Sequence, residues 1–223
     1  MELSNTKVAE TPRCVKNNLD RGPVTLNRGC AETGPTPADA IMESEAERAP
    51  MSRISRLDRS QVTPDLAALF DKVFAQRGNV PNMFRVMAHR SEIFATMQAH
   101  FGAVLNTGTV STRLKELIIV RTSQVNDTPY CLASHTVLAR NLGWSDDQLA
   151  HLHDWPHRGD FTPAEKAALR LADSVTRDAH AVTDEQFAEL RSFYSEGEIV
   201  ELLCAIGLFN YFNRFNNALR MEP

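Results

Sequence analysis

Four Ser/Thr-x-x-Glu/Gln boxes stand in front of apolar-periodic stretches: Ser145-x-x-Gln148, Thr162-x-x-Glu165, Thr183-x-x-Gln186 and Ser195-x-x-Glu198. In such a box the hydroxyl accepts from an unpaired backbone N–H of the first helical turn. The Glu or Gln side chain reaches back to the N–H of the cap residue, so each box marks a helix start. Thr63-Pro64 and Thr128-Pro129 add two more, because proline at the first helical position lacks only an N–H that would have no intrahelical partner. Behind these starts apolar residues recur at three and four: Leu66, Leu69, Phe70 and Val73; Leu114, Leu117, Ile118 and Val125; Ala168, Leu171, Ala172 and Val175. No six-residue window alternates apolar and polar residues as a half-buried strand would. The pattern predicts an all-α, multi-helix bundle with little or no sheet. Helices are expected over 64–76, 91–106, 112–125, 129–142, 146–154, 163–178, 184–193 and 196–219. Short connections predict antiparallel neighbours.

Residues 1–50 read differently. Five prolines (Pro12, Pro23, Pro35, Pro37, Pro50) and three glycines fall among scattered charges with few large apolar residues. Such a stretch buries too little surface to offset its ordering entropy, so it is expected to be a flexible extension ahead of one domain over 51–223. The net charge of -4 and the absence of a basic run interleaved with aromatics argue against nucleic acid and anionic membranes as partners. The longest apolar stretch, Leu202 to Phe209, is far short of a bilayer span, and the first residues carry no apolar block of a secretory signal. The four cysteines (Cys14, Cys30, Cys131, Cys204) lie far apart with no CxxC pair. Reduced thiols and a cytoplasmic location are the expectation.

The segment richest in chemistry is Asn126-Asp127-Thr128-Pro129-Tyr130-Cys131-Leu132-Ala133-Ser134-His135. With Thr128 as N-cap, Cys131 is the third helical residue, among orphan N–H groups at the positive end of the helix dipole. Both features favour the thiolate. His135 follows one turn later on the same face, where a base can serve a nucleophile. Glu116 lies on the preceding helix, which a short connection brings back alongside, placed to orient the histidine or relay a proton. Spacing alone leaves two readings open: this catalytic one, and one in which Cys131 packs while His135 merely caps or hydrogen-bonds.

Glu116, fourteen intervening residues, Cys131 and then His135 after three more resembles the alkylhydroperoxidase D-like pattern E-x11-C-x2-C-x3-H. Gly78-Asn79-Val80-Pro81-Asn82-Met83-Phe84-Arg85 is similar to that family's opening segment, Ser111 through Val120 to its glutamate-bearing helix, and Leu208-Phe209-Asn210-Tyr211-Phe212-Asn213-Arg214-Phe215 to its closing helix. The chain thus resembles the carboxymuconolactone decarboxylase and alkylhydroperoxidase D-like superfamily over about residues 53–221. One departure stands out. The first cysteine of the family's CxxC is Thr128 here, so no disulfide can close within the motif, while the reactive cysteine, histidine and glutamate match Cys131, His135 and Glu116.

The resemblance implies a thiol-dependent hydroperoxide reductase, a peroxiredoxin-type antioxidant activity. Cys131 would be its nucleophile, His135 and Glu116 its proton relay, and an external thiol its reductant. It also implies a homo-oligomer, trimeric or hexameric. No motif for a flavin, nucleotide or metal is present, so no cofactor is expected. Two other functions fit the same residues. One is a lyase or isomerase acting on a lactone or keto acid, with His135 as acid/base and Glu116 as its orienter. The other is a non-catalytic redox sensor.

The remaining candidates read as structural. His151-x-His153-x3-His157, with Asp154 and Asp160, falls at a helix end and in the Trp155-Pro156 loop, where exposed histidines are ordinary. Cys204 sits among Leu202, Leu203, Ala205 and Ile206 and is expected to be a buried, inert core residue. Met83, Phe84, Met87 and Phe101 are expected in the core, with some lining a pocket beside Cys131. The polar stripe Asn210, Asn213 and Asn217, with Arg214, reads on pattern as a solvated or cap-satisfying face; the resemblance implies a buried or subunit-facing one.

Overall fold

The computed structural model describes residues 52–223, so the expectation for residues 1–50 lies outside the described residues. The described residues hold nine α-helices and no strand. They are α1 (Pro64–Arg77), α2 (Asn82–Met87), α3 (Ser91–Asn106), α4 (Thr112–Val125), α5 (Pro129–Asn141), α6 (Asp146–Ala150), α7 (Pro163–Asp178), α8 (Asp184–Arg191) and α9 (Glu196–Leu219). All four boxes form as read, each hydroxyl accepting from the third N–H and each Glu or Gln side chain reaching back to the cap.

Two expected helices differ from the observed ones by more than one residue. The helix expected over 146–154 breaks at His151 into α6 and a 3-10 turn, Leu152–Asp154. Its buried residues, Leu149, Leu152 and Trp155, are spaced by three. That repeat suits the eclipsed faces of a 3-10 turn better than an α-helix. The expected helix 184–193 stops at Arg191, where the Ser192 hydroxyl donates to the Glu189 carbonyl at 2.6 Å. Helix α2 has no counterpart in the sequence reading. It is six residues long, too short to show a period, and opens on Pro81 rather than on a capping hydroxyl.

The middle of the molecule is α4. Leu114 through Ser123 are all buried, so this helix has neighbours on every side, packing against α5, α7 and α9. Leu117 and Ile118 join one apolar cluster with Trp144, Leu152, Leu169 and Ile206. Ile119 joins a second with Phe70, Phe84, Phe94, Phe209 and Phe212. The 24-residue α9 serves both clusters, through Ile199, Leu202 and Ile206 near its start and Leu208, Phe209 and Phe212 further on.

Burying Leu114 through Ser123 places the polar residues of that stretch inside, and most find partners. Lys115 Nζ donates to the carbonyls of Val104 and Thr107, both at 2.8 Å, and pairs with Glu201 at 3.0 Å. Glu201 also accepts from the backbone N–H groups of Thr109 and Val110. The loop passes so close to that carboxylate that a Cβ on Gly108 would lie 2.2 Å from it, and Gly108 has φ +89°. Only glycine suits both demands. Arg121 grips Asp173 through Nε and Nη2 at 2.5 and 2.8 Å, and Trp155 donates to the same carboxylate. None of the described helices is long and apolar enough to cross a membrane.

Candidate active site

The turn between α4 and α5 is held rather than free. Asp127 adopts a left-handed conformation with φ 48°, unfavourable for a residue with a Cβ. Four asparagines of α9 brace this turn. Asn210 accepts from Asn126 Nδ2 at 2.8 Å, and Asn213 donates to Ser123 Oγ at 3.0 Å. Asn217 donates to the carbonyls of Asn126 and Asp127 at 3.0 and 3.3 Å, and Asn216 donates to Cys131 Sγ at 3.4 Å. The polar stripe therefore faces the α4–α5 turn, with Asn213 and Asn216 fully buried. Of the stripe as read, Asn213 is buried and Asn210 half-buried while Asn217 and Arg214 stay exposed, so one edge is solvated and the stripe satisfies the carbonyls just past the end of α4, as the pattern allowed.

Thr128 occupies the N-cap position of α5, and Pro129 begins the helix. The cap itself does not form. The Thr128 hydroxyl donates to the Asn126 carbonyl at 3.4 Å and accepts from no helical N–H, and the residue is wholly buried. Cys131 is the third residue of α5, as read, and is 4% exposed. Burial, the largest influence, pushes its thiol above the ordinary cysteine value, against hydrogen bonding from Asn216, Asn213 and Ser123 that holds it down. This corrects the expectation of a thiolate favoured by helix position. Desolvation penalises the charged form, and in a site this enclosed it wins.

His135 and Glu116 meet. The Nδ1 of His135 lies 2.7 Å from Oε2 of Glu116, with both side chains buried. The imidazole meets the Phe209 ring in a T-shaped contact, with ring centroids 4.7 Å apart. With Glu116 ionised, Nδ1–H donates to it and Nε2 is left as an acceptor. Cys131, His135 and Asn216 line one small cavity of about 40 Å³ with Tyr130, Phe84 and Phe212. A space of that size holds a water or one small functional group. Beyond it a wider cavity of about 700 Å³ opens between Val80, Pro81, Ala133, Val137 and Leu138. Arg77, Pro81, Tyr130 and Ser134 belong to both.

Among the described residues no cluster of three His, Cys, Asp or Glu side chains is arranged to hold a metal ion. Of the histidine cluster, His151 pairs with Asp147 and His157 with Asp154, both on the surface. Cys204 is half-buried against the second apolar cluster, not fully buried as expected, because its position on α9 falls at that cluster's edge. Met83, Phe84 and Met87 are core residues as expected, and Phe84 and Phe101 line the inner cavity. Sequence reasoning missed Asn216, Ser123 and Arg77. Asn216 alone had a visible signal, standing three residues after Asn213 in the same stripe.

The carboxymuconolactone decarboxylase family profile matches residues 91–174, a window that contains Glu116, Cys131 and His135 and stops short of α9. The protein YdfG of Bacillus subtilis (strain 168) is 35% identical over 106 residues, 47% of this chain and 72% of its own length. An uncharacterized peroxidase-related protein of Ralstonia eutropha JMP134, described as an alkylhydroperoxidase AhpD core, has a similar structure. Its TM-score is 0.71 at 25% identity, covering 78% of this chain and 93% of that one. Protein ATU0492 of Agrobacterium tumefaciens is similar at a TM-score of 0.58 and 29% identity, covering 61% and 93%.

Proposed function

The chain belongs to the carboxymuconolactone decarboxylase family, and from that premise we propose that it is a thiol-dependent hydroperoxide reductase with Cys131 as its nucleophile. The observation that carries this reading is the cavity shared by Cys131 and His135, with Glu116 hydrogen-bonded behind the histidine. Burial favours the protonated thiol, so the first step passes its proton to Nε2 of His135, and Glu116 stabilises the imidazolium that results. The thiolate then attacks the terminal oxygen of R–O–OH. The S–O bond forms as the O–O bond breaks, and the sulfur is oxidised by two electrons to a sulfenic acid. The leaving alkoxide takes the proton back from His135. Two equivalents of an external thiol then restore the cysteine, yielding water and a disulfide. The likeness to the peroxidase-related Ralstonia protein supports the same reading.

The test is trapping with a dimedone-type probe after hydroperoxide treatment. Label is expected on Cys131 and lost in Cys131→Ser. His135→Ala or Glu116→Gln should slow its appearance by roughly two to four orders of magnitude, the range for a lost general acid or base. An unmodified Cys131 under excess hydroperoxide would overturn the reading.

One observation favours a second reading. Burial pushes the Cys131 thiol up rather than down, which a lyase using His135 and Glu116 alone tolerates. That enzyme would act on a lactone or keto acid and keep its activity in Cys131→Ser.

The proposal includes assembly as a homo-oligomer. Leu142, just past the end of α5, and Val200 and Tyr211 on α9 stand exposed and apolar, surface that association would cover. A light-scattering mass near 24.9 kDa at micromolar concentration would count against it.

A further inference from the structure

Arg77 lies where the inner cavity meets the outer one and lines both. Among the described residues it is the only Arg, Lys, Asp or Glu side chain lining either cavity. Nearby arginines are engaged: Arg59 pairs with Asp71 and Arg85 with Asp58. Arg77 makes no ion pair among the described residues, and its guanidinium lies 5.4 Å from the centroid of the Phe101 ring. Glu116 attracts it from a distance, yet the carboxylate is already spent on His135. Arg77 stays solvent-exposed overall, and its partial enclosure pulls it below the ordinary arginine value, with no counter-ion paired to it among the described residues. A guanidinium is a planar set of donors matched to a carboxylate. The remaining walls of the outer cavity beside it, among them Val80, Pro81, Val137 and Leu138, suit an apolar body.

We propose that the site selects organic substrates bearing one carboxylate, which Arg77 anchors at the mouth of the inner cavity while the reacting group enters toward Cys131. Resting on the peroxidase reading, the substrate is the hydroperoxide of a small carboxylic acid. The inner cavity, about 40 Å³, admits the hydroperoxyl group and little of the carbon skeleton. The acid therefore carries that group on a slender chain rather than on a bulky tertiary centre.

Two measurements on the full chain separate this inference from the peroxidase reading. The first needs no peroxide: iodoacetamide modification of Cys131 is followed with hexanoate or hexanamide present. Hexanoate should protect, hexanamide should not, and Arg77→Gln should abolish the protection while thermal unfolding shows the variant folded. Arg77→Lys should restore part of it. The second compares 6-hydroperoxyhexanoate with its methyl ester. The acid should be preferred about tenfold to a hundredfold in kcat/KM, the worth of a charge-assisted contact. In Arg77→Gln that ratio should fall to near one. Protection by hexanoate without peroxide turnover would sink the peroxidase reading and leave the anion site standing. Equal use of acid and ester, or protection that survives Arg77→Gln, would overturn the anion site and leave the peroxidase reading intact.

Discussion

The side-chain amide of Asn216 donates to the sulfur of Cys131 across 3.4 Å, joining the last helix to the proposed nucleophile. The same asparagine has a buried Oδ1 with no partner in the structure, as does Asn213. Each orphan acceptor costs about 1–3 kcal/mol, so both are poorly explained by stability alone. Beside a cysteine, a donor to sulfur and a vacant acceptor suit a group that changes between S–H, S⁻ and S–OH.

Removing the donor should therefore make the thiolate harder to form. Asn216→Ala should raise the Cys131 thiol further and slow its alkylation at fixed pH about fivefold, the rate equivalent of one hydrogen bond of about 1 kcal/mol. Faster alkylation of Asn216→Ala, with the fold intact by circular dichroism, would mean the amide does not restrain the sulfur.

The pH profile follows from the direction of the shift. Burial raises the Cys131 thiol, so its alkylation rate should climb with a midpoint above the value of free cysteine, about 8.5. The consequence for stability has a definite sign. The unfolded chain releases this proton first as pH rises. The stabilisation is therefore complete below the unfolded value and is lost as pH climbs through the folded one. Denaturant midpoints of wild type and Cys131→Ser should diverge at neutral pH and converge in alkali. A midpoint below 8.5 would show that the helix position outweighs burial.

Most of the fold could be read from the sequence because its signals are local. The boxes at Ser145, Thr162, Thr183 and Ser195 work within one helical turn, and all four formed. The pairing of Glu116 with His135 was legible for a related reason, since two helices joined by a short turn have little choice but to fold back. What failed depended on non-local surroundings. The dipole argument for Cys131 considered its own helix only. The desolvation that outweighs it comes from enclosure by Phe84, Phe212 and Asn216, distant in sequence. The same holds for Arg77, whose meaning rests on lacking an ion pair, a property of the folded surroundings rather than of its neighbours in the chain.

Lys115 gives a test of the architecture separate from chemistry. Its ammonium satisfies two carbonyls and Glu201, and through Glu201 the Thr109–Val110 backbone. Lys115→Met fits the space but strands a partly buried carboxylate, at a cost of about 3–5 kcal/mol. For a domain of this size the melting temperature should fall by on the order of 10 °C. A change of a degree or two would mean that the loop re-forms around water.

Thr128 and Cys131 offer the most direct test of how the site departs from a CxxC. They hold the N-cap and third positions of α5, three residues apart, with both side chains buried. The Thr128 hydroxyl caps nothing, so a sulfur in its place gives up only a long bond to the Asn126 carbonyl. Thr128→Cys should therefore fold with little loss of stability. In that variant a sulfenic acid on Cys131 has a thiol one helical turn away. Attack by that thiol expels water and closes a disulfide. Peroxide should then give dimedone-trappable Cys131 in the wild type and a dithiol-reducible internal disulfide in Thr128→Cys, seen by mass spectrometry as loss of two hydrogens. The wild type should form no internal bridge to Cys204, which packs against the second apolar cluster further up α9. If Thr128→Cys traps dimedone as readily as the wild type, the two sulfurs do not meet, and the absent cysteine is not what separates this chain from a dithiol peroxidase.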